Sequence, residues 1–166
     1  MKFKGPPLFY VDFISFPVLA MITLVGWCRS LDWVPLIVFG LLLFSFAEYW
    51  VHRIGLHVFF YHGAHQKHHI YPSGYTVFPI WYSPFAAVVL WLIFPLPIFV
   101  GLILGFVWFI YWHHVLHHFN LANFNLTRKY AIWHLRHHRL DTCNYGITLP
   151  IWDYMFGTFE KQKTGE

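Results

Sequence analysis

The stretch Ser83–Trp112, SPFAAVVLWLIFPLPIFVGLILGFVWFIYW, runs for 30 residues without a charge, and the way it divides decides the fold. A single spanning helix needs about 20 residues. Read as one crossing, the stretch would send the histidines before it and those after it to opposite faces of a membrane, where they could share nothing. Pro95 and Pro97 supply a sharp break, because proline lacks the amide proton a helix interior needs and its ring clashes with the preceding turn. The sequence therefore predicts two helices, roughly Trp81–Pro95 and Pro97–His118, which return the chain to the side it left. Each half is short for a full crossing, so tilt, extension into flanking residues or partial insertion is expected.

Two further apolar stretches, Leu8–Cys28 and Trp33–Trp50, precede it. Together they predict an all-α membrane protein of four transmembrane or partly inserted helices with a cytosolic helical cap. Composition agrees: 58% hydrophobic, 23% aromatic and 11% charged residues depart far from the soluble norm of about 25% charged. With the N-terminus cytoplasmic and four crossings, Lys2, Lys4, Arg53, Lys67, Arg128, Lys129, Arg136, Arg139, Lys161 and Lys163 all fall on the cytoplasmic side and Arg29 alone outside. That asymmetry is what the positive-inside rule asks for, and it puts both termini and most histidines at the cytoplasmic edge of a multi-pass protein. The first apolar run contains Asp12, exceeds the length of a signal-peptide core and lacks a small-residue cleavage site after it, so it reads as a retained anchor. The basic residues are scattered, which excludes nucleic-acid binding as the purpose of the positive charge. Cys28 and Cys143 belong to no metal-ligand or disulfide spacing.

Thirteen of the 166 residues are histidine. Twelve of them recur as His52 and His57; His65, His68 and His69; His113, His114, His117 and His118; and His134, His137 and His138. Two groups read HxxHH. Offsets of three and four residues return to one face of an α-helix, so each such motif sets three imidazoles side by side. Neutral imidazole suits iron, zinc, copper and nickel, and so many donors exceed what one ion can use. The pattern predicts a site for two transition metals. At the end of the last apolar helix, the pair His113 and His117 and the pair His114 and His118 are both allowed by spacing, but adjacent residues diverge by about 100° and one pair alone faces a given centre. His62 stands outside both HxxHH motifs. The segment Tyr61–Ser73 predicts a short helix ending at Pro72, Ser73 and Gly74. Asn120–Thr127 predicts a loop, Arg128–Leu140 a helix, and Asp141–Gly146 a turn. Carboxylates are few, and no Glu-x-x-His motif of the soluble di-iron bundles occurs. Glu48, four residues before His52, is placed to hydrogen-bond a ligand imidazole, and Asp141 and Asp153 are candidates for the same role.

The motifs EYWVHRIGLH (48–57), HGAHQKHH (62–69) with TVFP (76–79), WHHVLHH (112–118), HLRHH (134–138) and GITLPIWDYMFGT (146–158) follow in that order. This pattern resembles the membrane fatty acid hydroxylase and sterol desaturase superfamily, most closely the catalytic domain of fatty acid 2-hydroxylases. The resemblance implies His52, His57, His65, His68, His69, His113, His117, His134, His137 and His138 as metal ligands, leaving His62, His114 and His118 with Glu48, Asp141 and Asp153 as neighbours that support them. It also implies two non-haem irons, for which zinc can substitute in purified protein, O2 as oxidant, and a fatty acyl or other membrane lipid as substrate. No haem-binding HPGG stretch of a fused cytochrome b5 occurs. Residues 1–166 thus read as a single hydroxylase domain, with electrons expected from a separate cytochrome b5, ferredoxin or reductase. The same scaffold carries desaturases and sterol or carotenoid hydroxylases as the alternative outcome. A non-enzymatic haem protein or metal transporter fits less well, because it would place its polar residues in mid-bundle.

Overall fold

The computed structural model describes residues 9–27, 30–59, 62–72, 82–119 and 125–161. Lys2, Lys4, Cys28, Arg29, Ser73, Gly74, the TVFP segment, Asn120, Asn123, Lys163 and the side chain of His62 lie outside the described residues. The described residues form helices and turns, with no strand among them. Helix α1 covers Phe9–Trp27 and accommodates Pro17. After Ser30, whose Oγ accepts from the Asp32 amide at 3.2 Å, a single 3₁₀ turn at Leu31–Trp33 leads into α2, Val34–Trp50. The chain then winds on without interruption as a π-helix over Val51–Phe59. Short α3, His62–Ile70, is followed by α4, Tyr82–Ile93, and α5, Leu96–His118. Helix α6 is Asn125–Leu140, and one turn, α7, spans Ile151–Met155.

The 30-residue apolar stretch is divided where the prolines stand. Helix α4 closes with the Phe94 amide on the Leu90 carbonyl, and α5 opens with the Phe99 amide on the Pro95 carbonyl. Pro97 sits in the first turn of α5, where a missing amide proton leaves no bond unmade. The two halves are unequal. Helix α5 has 23 residues and the continuous helix Leu31–Phe59 has 29, each long and apolar enough to cross a membrane, whereas α4 with 12 residues is shorter than a span. The loop expected to last until Thr127 ends earlier, since α6 already begins at Asn125.

The chain divides into two units, residues 1–44 with 75–110, and residues 45–74 with 111–166. In the first, Phe16, Ala20, Ala87, Phe99 and Ile103 form the buried core, and the rings of Phe16 and Phe106 meet edge to face at 4.7 Å. Its described residues include no lysine or arginine. Ile14, Val18, Met21, Ile22, Val25, Phe85, Trp91 and Leu92 are exposed there, far more outward apolar surface than a water-soluble unit carries. The polar groups inside are locally satisfied: the Thr23 hydroxyl donates back to Leu19 and Ala20 carbonyls, 2.9 Å each, and the Ser83 hydroxyl donates to the Asp12 carboxylate at 2.9 Å. Every described lysine and arginine, Arg53, Lys67, Arg128, Lys129, Arg136, Arg139 and Lys161, lies in the second unit, as do all thirteen histidines.

Helices α2 and α5 touch backbone to backbone at Gly40 and Gly101. A Cβ at Gly40 would stand 2.3 Å from the Ile98 carbonyl oxygen, and one at Gly101 would stand 2.2 Å from that of Ile37. Small residues permit this approach, which is how apolar helices gain packing energy where no hydrophobic effect drives them together. Neither neighbour is a side chain able to turn aside. Gly101→Val is expected to destabilise the protein by roughly 1–3 kcal/mol, measured as a lower melting temperature in detergent. Gly26→Ala, whose added methyl meets nothing within 4 Å, does not lower the melting temperature, since alanine is the better helix former.

Candidate metal centre

The spacing of His52 and His57 is the first local problem. On an α-helix, residues five apart diverge by about 140°, yet these two rings stand 5.3 Å apart. The π-helical winding of Val51–Phe59 resolves it, because bonds from i to i+5 stack residue i+5 over residue i. Helix α3 supplies His65, His68 and His69, the end of α5 supplies His113 and His117, and α6 supplies His134, His137 and His138.

These ten side chains converge as two quintets. One joins His52, His57, His65, His69 and His137; the other joins His68, His113, His117, His134 and His138, with each quintet's donor nitrogens within 4.8 Å of one another. Each HxxHH motif is shared out: its first and last histidines, one helical turn apart, enter one quintet and its middle histidine enters the other. The three imidazoles expected to serve a common face therefore part company, because i+3 and i+4 point to either side of the face they share.

The nitrogens that meet are Nε2. In the first quintet His65 Nε2 lies 3.1 Å from that of His52, 3.0 Å from that of His57 and 3.0 Å from that of His69. In the second, His113 Nε2 is 3.2 Å from His68 and 3.0 Å from His117, and His134 Nε2 is 2.8 Å from His117 and 3.1 Å from His138. Hydrogen bonding does not account for this. A neutral imidazole nitrogen has one proton or one lone pair, so His65 Nε2 cannot bond three like atoms. Donors about 2.1 Å from a shared ion and about 90° apart do stand about 3.0 Å from each other. Five nitrogens per group exceed the closed tetrahedron of a structural zinc site, and the donor set fits two transition-metal ions.

The outer nitrogens fix the tautomers of two imidazoles in the first quintet. His52 Nδ1 donates to the Tyr145 carbonyl at 2.5 Å and His137 Nδ1 to the Cys143 carbonyl at 2.7 Å. A carbonyl only accepts, so the proton is on Nδ1 and the Nε2 lone pair is free. His69 Nδ1 lies 2.5 Å from the Asp141 carboxylate. These three acceptors come from one tight loop after α6, in which Asp141 and Asn144 hold left-handed φ angles of 55° and 57°. Buried Asn144 pins the loop, its amide group bonding the Trp133 and Glu160 carbonyls and the Glu160 amide.

Glu48 and Asp153 act differently from expectation, since the bonds of their carboxylates run to the loop. Glu48 accepts from the Ile147 and Thr148 amides and the Thr148 hydroxyl, 3.0, 3.2 and 2.9 Å. Asp153 accepts from the Tyr145 and Gly146 amides and the Thr158 hydroxyl, 2.8, 2.9 and 2.8 Å. Both thus hold the loop whose carbonyls hold His52 and His137. His114 and His118 stack on each other at 4.4 Å and enter neither quintet. The carbonyls of Cys143 and Tyr145 escaped the sequence reading, for a backbone acceptor leaves no residue-type signal; the predicted turn at 141–146 was their one trace.

The fatty acid hydroxylase family model matches residues 37–158. A dihydroceramide fatty acyl 2-hydroxylase of Arabidopsis thaliana is 29% identical over 204 residues, covering 96% of this chain and 82% of its own length. The ceramide very long chain fatty acid hydroxylase scs7 of Schizosaccharomyces pombe is 29% identical over 92% of this chain and 49% of its own. The solved structure of full-length scs7p, in which only the hydroxylase domain is visible, superposes with a TM-score of 0.75 at 26% identity, covering 93% of this chain and 69% of that one. A helical chain that gathers its histidines in this order defines a class, and the family match covers most of its length. The chain belongs to the fatty acid hydroxylase family.

Burial, followed by the charge of neighbouring imidazoles, pushes His134 and His138 well below the usual histidine range and His68 from 6.5 down to about 4. The unfolded chain therefore binds protons that the folded site refuses. Stability from this site is complete above about pH 6.5 and is lost as pH falls towards about 4. Melting temperature and bound metal, followed together from pH 7.5 to 4, are expected to decline over that window.

Proposed function

We propose that this protein hydroxylates a C–H bond on a long-chain fatty acyl lipid, using O2 and a pair of irons held by the two histidine quintets. One observation carries the reading: ten imidazoles converge as two five-nitrogen sets in a chain of the fatty acid hydroxylase family. Iron bound there would activate O2, the oxidant, to break an unactivated C–H bond with electrons from the redox partner and release of water, a chemistry no side chain offers. Zinc fits the same donors but lacks the redox chemistry, so zinc-loaded protein is expected to be inactive.

His52, His57, His65, His69 and His137 are assigned to one ion, and His68, His113, His117, His134 and His138 to the other. The chain's own work is to keep these imidazoles neutral, to hold the protons of His52 and His137 on Nδ1 by the Tyr145 and Cys143 carbonyls, and to limit water around the reacting centre. The apolar unit without described lysine or arginine is assigned to the bilayer, as four membrane-embedded helices, and the basic, histidine-bearing unit to a cytosolic cap. The positive charge gathered there supports a site, and both termini, on the cytoplasmic side. A separate redox protein such as a cytochrome b5, ferredoxin or reductase delivers the electrons. The relatives named for dihydroceramide and ceramide support a sphingolipid-type acyl chain as the substrate class.

A very-long-chain aldehyde decarbonylase of Arabidopsis thaliana, 26% identical over 70% of this chain and 22% of its own length, gives a competing outcome on related histidines. Lipid mass spectrometry of cells with and without the protein separates the outcomes. Hydroxylation adds one oxygen, desaturation removes two hydrogens, and decarbonylation shortens the chain by its carbonyl carbon. Added oxygen is expected, and either other product overturns the proposal. His68→Ala and His137→Ala are each expected to abolish product while the protein remains in the membrane fraction; undiminished product from either would remove the metal centre from the reaction.

A further inference from the structure

The two quintets are braced unequally. In the first, His52 and His137 have their outer nitrogen hydrogen-bonded to the Tyr145 and Cys143 carbonyls of the loop after α6, and His69 Nδ1 stands 2.5 Å from the Asp141 carboxylate of the same loop. In the second, the Nδ1 atoms of His68, His117, His134 and His138 are buried with no hydrogen-bond partner among the described residues. An imidazole whose outer N–H is held has its ring orientation and tautomer set before an ion arrives, and a carboxylate acceptor also raises its basicity. An imidazole without such a partner must be ordered by the ion itself, which reduces the affinity observed.

We infer that the two metal positions differ in affinity, with the loop-braced quintet of His52, His57, His65, His69 and His137 filled first, and that Asp141 is a positioning residue for that ion alone. This rests on the proposed metal centre and adds an order of filling that donor count does not supply, since both quintets offer five nitrogens. Asp141 is well suited to test it. Its side chain is 62% exposed, and its backbone φ of 55° is one that asparagine adopts readily. Asp141→Asn therefore removes the charge while keeping shape and backbone.

The experiment is a titration of full-length, metal-stripped protein in detergent with ferrous iron under anaerobic conditions against a competing chelator, with bound iron counted by elemental analysis. Repulsion between neighbouring ions also separates two binding steps, so the assignment depends on the variants. The unsubstituted protein is expected to bind two equivalents in distinct steps. Asp141→Asn weakens the tighter step by about 10–100-fold and leaves the weaker one in place, while the metal-free variant melts at the unchanged temperature. His138→Ala, from the other quintet, removes the weaker step and leaves the tighter. The inference is overturned if Asp141→Asn shifts only the weaker step or neither, or if His138→Ala abolishes the tighter one. A protein that binds no iron at all refutes the metal centre itself, a result distinct from equal affinities.

Discussion

The second unit of this protein is built around imidazole nitrogens that face one another. Groups of five imidazoles bring neighbouring Nε2 atoms to between 2.8 and 3.2 Å, a packing that hydrogen bonds cannot complete. Burial forbids the alternative of protonation, because several cations confined in a low-dielectric interior repel each other and lose their hydration. A metal pair would satisfy the nitrogens, and it would link folding of the histidine-bearing elements to ion binding. The backbone yields to the same demand. Nine residues wind as a π-helix, a form that is rare elsewhere, and this lets His52 and His57 share a centre despite their offset of five.

The division of labour between the units follows from charge. Where the chain carries no described lysine or arginine, its packing depends on small residues and aromatic edges, as at Gly40, Gly101 and the Phe16–Phe106 contact. Where it carries the basic residues, it also carries buried carboxylates with several donors each. Glu48 and Asp153 are 7% and 0% exposed, and each accepts three hydrogen bonds, two from loop amides and one from a hydroxyl, that of Thr148 or Thr158. An unpartnered acid at that depth would be costly. With its donors in place, each becomes a rigid anchor for the loop that delivers the Cys143 and Tyr145 carbonyls.

Much of this was legible in the residues, and the parts that were not share a physical cause. The histidines declare themselves by type and spacing, and the break at Pro95 and Pro97 declares itself because proline acts locally. The partition of each HxxHH between two quintets was hidden, since spacing gives the face of a helix but not the positions of ions on either side of it. The π-helix was hidden for a related reason: an i, i+5 pair reads as divergent unless the winding is known to change. Glu48 was misread because it is one turn from His52, whereas its hydrogen bonds run to Ile147 and Thr148, about a hundred positions along the chain. Long-range partners of a buried acid leave no periodicity to read.

The two quintets contain imidazoles and no carboxylate. Soluble di-iron bundles neutralise their ions with glutamates, whereas ten imidazoles bring no charge. Two divalent ions in such a site would keep almost their full positive charge, offset nearby by the Asp141 carboxylate beside His69. That residual charge would strengthen every interaction with electron-rich groups in a medium of low dielectric. It also makes the surrounding imidazoles harder to protonate, since a bound cation disfavours another positive charge beside it. An all-histidine site thus resists acid more once loaded than when empty, so occupancy of the ions and integrity of the fold reinforce each other through the same ten nitrogens.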